Sequence, residues 1–191
     1  AKGFIGRNFV QTLENIRTGK DQTRGLSPGL TVYEYDCDSK PESLAEYCAD
    51  CDAVFHLAGV NRPEDPKEFM AGNFGFTSVL LDTLRQAGNN CPVMLASSIQ
   101  AQLDNPYGKS KKAGEELLFS YGRQTGAEIY IYRFPNVFGK WCRPNYNSAV
   151  ATFCHNIARG LPVTVNNRDT LLSLVYIDDV VTELLGILTG N

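Results

Sequence analysis

No long hydrophobic run occurs in this sequence. A membrane-spanning helix needs about 18 or more consecutive apolar residues, so the pattern excludes one. No basic cluster exceeds the short "KSKK" at 109–112, and the net charge is -3. The electrostatic footprint of a nucleic-acid binder is therefore missing. Histidine is scarce, with 2 residues, and only Cys48 and Cys51 form a C-x-x-C. No second pair or His-x-His spacing completes a zinc site, and no metal is expected. The six cysteines, at 37, 48, 51, 91, 142 and 154, read as reduced thiols of a cytoplasmic protein. The opening "AKGFIGRNFVQTL" lacks the layout of a signal peptide. Internal repeats and low-complexity linkers are absent too. What remains is an ordinary globular balance of 43% hydrophobic and 20% charged residues in 191, enough for a sizeable core.

What is present is an alternation. Strand-like runs occur at "TVYEYD" (31–36), "AVFHLAG" (53–59), "CPVMLASS" (91–98) and "EIYIYRF" (128–134). Between and after them lie helical patterns at 42–51, 67–88, 106–126 and 146–160, and a strand-like entry into a last helix spans 173–188. Gly88 and Gly160 are helix stops. Strands alternating with helices predict parallel βαβ units: an α/β, doubly wound, Rossmann-like sheet. Residues 1–135 read as a dinucleotide-binding region. Residues 136–191 read as part of a substrate-binding region interleaved with the last sheet elements.

"AKGFIGRNF" sets Gly3 and Gly6 at the start of an amphipathic helix, like the second half of a G-x-x-G-x-x-G turn. Glycines there let backbone N–H groups approach a pyrophosphate. On this reading the first strand and first glycine of the unit are missing, and the domain is clipped at its N-terminus. Gly3, Phe4, Ile5 and Gly6 are then cofactor-binding candidates. Asp36 ends the strand-like run 31–36, where an acidic side chain accepts hydrogen bonds from an adenosine ribose 2′-OH. Such a carboxylate repels the 2′-phosphate of NADP, although Arg7 could offset it.

The stretch "NPYGKSKKAGEELL" sets Tyr107 and Lys111 four residues apart on a helix, and thus on one face. A phenol ordinarily titrates near pH 10. A neighbouring ammonium favours the phenolate, so the pair suits proton exchange with a sugar or alcohol oxygen.

The motifs "GFIG", "FHLAG", "NFGFTSVLLDTL", "LASS", "YGKSK", "RFPNVFG" and "VYIDDVV" come in an order that resembles the extended short-chain dehydrogenase/reductases acting on nucleotide sugars. "HLAGVNRPE", "SSIQAQLDNPYGKSK" and "FPNVFGKWCRPNYNS" resemble a narrower group. This group comprises the reductase domains of bifunctional capsular-polysaccharide enzymes that make UDP-N-acetyl-L-fucosamine precursors.

The resemblance implies NAD(P)H-dependent reduction of the C4 keto group of a UDP-4-keto-6-deoxy-hexosamine, by a homodimer whose bundle includes helix 106–126. It also implies a cupin domain that this sequence does not contain. Tyr107 would protonate O4, Lys111 would hold the cofactor ribose, and Ser98 would hold the reacting oxygen, with Ser97 the competing serine. Leu57, Ala58, Gly59 and Asn136 would lie along the cofactor. Arg143, Asn145 and Asn147, with Asn136, would face the UDP-sugar. Asn73 would make a helix–helix hydrogen bond, and His56 would end a strand in the core. NADPH is slightly preferred over NADH on the resemblance, against the acidic pair Asp36 and Asp38. A 4-epimerase, a dehydratase and a catalytically silent nucleotide-binding domain are the alternatives. The dehydratase is disfavoured because Ile99 and Gln100 follow Ser98 where an Asp-Glu pair would act as acid and base.

Overall fold

A computed structural model describes residues 1–190. They form two compact units. One comprises Ala1 and Tyr33–Phe134, and the other comprises Lys2–Val32 and the chain from Pro135 onward.

The first unit is built on three parallel strands, β1 (Val54–His56), β2 (Val93–Ser98) and β3 (Ile129–Phe134), in that spatial order. Strand β2 is central and buried along its whole length, which explains its apolar run. Its register with β3 sets Ser97 opposite Arg133 and Ser98 opposite Phe134. The helices of this unit are α2 (Pro41–Asp50), α3 (Lys67–Phe69), α4 (Phe76–Ala87) and α5 (Pro106–Thr125). Leu44 of α2, Leu80, Leu81 and Leu84 of α4, and Leu118 and Tyr121 of α5 form one core with Val93 and Leu95 of β2. Asn105 caps α5 by accepting a 2.7 Å bond from the Gly108 N–H, and Pro106 stands in the first turn. Gly126 stops it in the left-handed conformation, φ 76°.

Two expectations differ from what is observed. The helix expected over 67–88 contains a π-helical segment, Met70–Gly75, where Asn73 turns into the interior. The strand expected at 31–36 joins no sheet among the described residues. Strand structure requires a hydrogen-bonded neighbour. Its rings pack on the helices, with Tyr33 stacked on Tyr47 at 4.5 Å and Tyr35 on Phe76 at 5.8 Å.

The second unit contains α1 (Phe4–Arg17), β4 (Asn136–Phe138), α6 (Ala149–Ile157), β5 (Leu174–Tyr176) and α7 (Ile177–Thr189). Strands β4 and β5 pair in parallel, and α1 packs on α7. The buried Asn8 of α1 donates to the Lys140 carbonyl at 3.1 Å, and Arg7 lies 5.1 Å over the Trp141 ring. Both contacts tie the loop after β4 to the start of α1. No helix among the described residues is long and apolar enough to cross a membrane.

Candidate active site

The site is assembled where the C-terminal end of β2 meets the first two turns of α5. Three consecutive residues of the strand each engage the helix. Ala96 O accepts from Lys111 Nζ at 3.1 Å, and Ser97 Oγ donates to Glu115 Oε1 at 2.5 Å. Ser98 lies beside the Tyr107 hydroxyl, close enough to lower its pKa. Because successive strand side chains point to opposite faces, Ser97 and Ser98 part company. Ser97 is taken up by a buried carboxylate, and Ser98 is the serine beside the phenol. Gln100 N–H, in the 3-10 turn Ile99–Gln102, donates to Ser98 Oγ at 3.2 Å and holds the hydroxyl in place.

Tyr107 is half-buried, and its ring lies 5.5 Å from that of Phe69. Lys111 Nζ stands 5.8 Å from the Tyr107 ring centroid, on the same helix face. Burial raises the Tyr107 pKa, and Ser98 offsets only part of that rise. Desolvation of the phenolate is the larger influence on this group. Burial pushes Lys111 down to about 8, against the opposing pull of Glu115.

Behind this pair, Asn73 donates to Val60 O at 3.1 Å and to Ser110 Oγ at 2.9 Å, and accepts from Val60 N–H at 2.9 Å. Its expected bridging role is therefore observed, joining the β1 exit to α5. His56 is buried beside Thr77, with Nε2 at 2.8 Å from Oγ1. Thr77 donates its own proton to Asn73 O at 2.6 Å, so His56 Nε2 carries the hydrogen that Thr77 accepts. Burial and the Lys111 charge push the His56 pKa down to about 3. A neutral, buried imidazole bonded through Nε2 is a core residue.

The remaining candidates fall in both units. In the first, Leu57, Ala58 and Gly59 follow β1, and a methyl group on Gly59 would lie 2.8 Å from Lys111 Nζ. Asp36 Oδ2 lies 2.8 Å from the Ala1 nitrogen. In the second, Gly3 is the N-cap of α1 and has no side-chain cap, while Phe4, Ile5 and Gly6 form its first turn. Asn136 opens β4, and Arg143, Asn145 and Asn147 are exposed in the loop before α6. Trp141 and Asn145 adopt φ 65° and 55°, unusual for residues other than glycine. Asn145 N–H is held by Thr152 Oγ1 at 2.9 Å, and Arg143 lies 5.7 Å over the Tyr146 ring.

The residues fit a nicotinamide dinucleotide. Gly3 is the N-cap of α1 without a side-chain cap, and the first-turn N–H groups of a helix suit a pyrophosphate. Glycine at 59 leaves room for Lys111, which an added Cβ would crowd at 2.8 Å. Glu115 and Arg133 were not among the sequence-based site residues. The signal that could have found Glu115 is its position one turn after Lys111 on the same face.

A parallel Rossmann-like sheet with a Ser–Tyr–Lys constellation at its strand ends defines a class, and the chain belongs to it. Residues 1–190 match the NAD dependent epimerase/dehydratase family. The chain is similar to the UDP-2-acetamido-2,6-beta-L-arabino-hexul-4-ose reductase of Pseudomonas aeruginosa, 47% identical over 191 residues, covering 100% of this chain and 48% of that protein. Among solved structures it resembles the capsular polysaccharide assembling protein CapF from Staphylococcus aureus, with TM-score 0.82 and 43% identity, covering 100% of this chain and 48% of that one. RMD from Pseudomonas aeruginosa complexed with NADPH gives TM-score 0.77 and 26% identity over 98% of this chain and 69% of that one. The chain spans about half the length of the curated relatives it matches, 48% and 54% for two of them.

Proposed function

We propose that this chain carries the reductase site of a nucleotide-sugar enzyme, which reduces the C4 keto group of a UDP-4-keto-6-deoxy-hexosamine for a surface-polysaccharide precursor. The observation that carries the reading is Tyr107 beside Ser98, with Lys111 Nζ 5.8 Å from its ring on the same helix face. The relative that shares 47% of its residues supports the substrate class, since its name is that of a UDP-sugar 4-ulose reductase.

A bound nicotinamide dinucleotide would supply the hydride. The chain's own residues handle the oxygen. Ser98 orients it by hydrogen bonding, and Tyr107 gives up its proton as negative charge develops there. Lys111 stabilises the phenolate that remains. Gly3 and Gly6 would hold the pyrophosphate, and Leu57, Ala58, Gly59 and Asn136 are the other residues that would hold the cofactor. Arg143, Asn145 and Asn147 bind the UDP-sugar. NADPH is the favoured reductant and NADH the alternative. The working form is a cytoplasmic homodimer paired through a bundle that includes α5.

Elimination of water is disfavoured, because Ile99 and Gln100 follow Ser98 and neither can act as acid or base. The test is direct. A UDP-4-keto-6-deoxyhexosamine is added to the intact protein with NADPH or NADH, and loss of nicotinamide absorbance is followed. Oxidation of the cofactor is expected, and none with either cofactor would overturn the reading.

A further inference from the structure

Glu115 lies in the interior, 2% exposed, where a carboxylate requires partners. It has three bonds from two strands. Ser97 Oγ of β2 donates at 2.5 Å, Arg133 Nε of β3 donates to Oε1 at 2.9 Å, and Arg133 Nη2 donates to Oε2 at 2.6 Å. Ser97 and Arg133 are register partners, so one carboxylate joins the ends of both strands to α5. One helical turn earlier on the same face, Lys111 donates to the carbonyl of Ala96, the residue before Ser97. One turn earlier again, Tyr107 meets Ser98. Residues 96, 97 and 98 thus bind positions 111, 115 and 107.

We propose that Glu115 is a positioning residue of the site: pinned to β2 and β3, it sets how α5 lies against Ala96–Ser98 and holds its carboxylate one helical turn from Lys111 on the same face. The surroundings of both groups support this. Toward Lys111 face Tyr107 and Glu115 from its own helix, neutral His56 from β1, and the Ala96 carbonyl from β2. Glu115 is the one carboxylate in that set. Facing Glu115 are Ser97, Arg133, Lys111 and Lys112. Burial works against the Glu115 charge, but the bonds from Arg133 and Ser97 prevail and keep its pKa below the usual value. The same charge opposes the desolvation that draws Lys111 down to about 8.

The proposal rests on the reductase reading only for its effect on turnover. Its test is read without substrate. Intact protein carrying carbon-13 lysine is titrated by NMR, with the Lys111 resonance assigned by its loss in K111M. In E115Q the Lys111 midpoint is expected to fall by about one unit, which raises the neutral amine at pH 7 about fivefold. E115D keeps the charge and is expected to hold the midpoint, while the shortened arm lowers turnover. An unmoved midpoint in E115Q overturns the proposal. So does a fall of about one unit in E115D, which decides alone if E115Q does not fold. A protein that shows these midpoints but reduces no ketosugar rejects the reductase reading and leaves this proposal standing.

Discussion

Replacing Gly59 with alanine tests the closeness of packing around the site. The added methyl would sit 2.8 Å from Lys111 Nζ and 2.9 Å from Asn73 Oδ1. Ordinary contact distances for carbon start at about 3.5 Å, so the overlap is about 0.6–0.7 Å at two atoms. Neither atom has an easy way out. Lys111 is 7% exposed and bonded to Ala96 O at 3.1 Å. Asn73 is held by three hydrogen bonds. Forcing extra atoms into such a site costs about 1–3 kcal/mol. Removing glycine from the unfolded chain returns about 0.4–1 kcal/mol. The net loss of about 1–2 kcal/mol lowers the melting temperature by about 2–8 °C in a domain of this size. Thermal unfolding of G59A by circular dichroism measures it, with cofactor oxidation measured alongside. Turnover is expected to fall as well, because relief of the clash moves Lys111 away from its seat. G29A is the control: Gly29 has nothing within 4 Å of an added methyl, and no loss is expected there. If G59A melts and turns over like the wild type, the tight packing described around Lys111 is wrong.

Three other outcomes are expected. Y107F should lower the reduction rate about a hundredfold to ten-thousandfold with cofactor binding nearly unchanged, and K111M should slow turnover and weaken cofactor binding too; retention of more than about a tenth of the rate in Y107F would remove Tyr107 from its role. His56, held at about 3 against an ordinary 6.5, leaves the unfolded chain as the better proton binder between those values, so its contribution to stability falls as the pH drops through that window. Urea unfolding as a function of pH should show this slope in wild type and less of it in H56N, and equal slopes would refute the assignment. D36A should raise NADPH affinity relative to NADH about tenfold or more if Asp36 faces the adenosine ribose, since like charges at close range repel by roughly 1–4 kcal/mol; titration with both cofactors checks it, and an unchanged ratio would show that Asp36 faces elsewhere.

The sequence by itself determined the class of fold and the placing of Tyr107 and Lys111 on one helix face. Helix α5 begins with Asn105 and Pro106 and stops at Gly126, and these local signals act within a few residues, so its bounds were readable. Tyr107 and Lys111 share a face because helix periodicity alone puts them there. The buried run of β2 was readable for the same reason: a central parallel strand needs apolar residues on both faces. The tertiary structure decided what depends on partners distant in sequence. Segment 31–36 has strand composition but no ladder among the described residues, because pairing is a property of neighbours and not of the segment. What Ser97 and Ser98 each meet required knowing that Glu115, bound by Arg133, accepts from Ser97 and that Tyr107 lies beside Ser98. The direction of the Tyr107 pKa required burial, which spacing along a helix does not report. The buried charge of Glu115 looked like any acidic residue of a polar helix until two strands were seen to satisfy it.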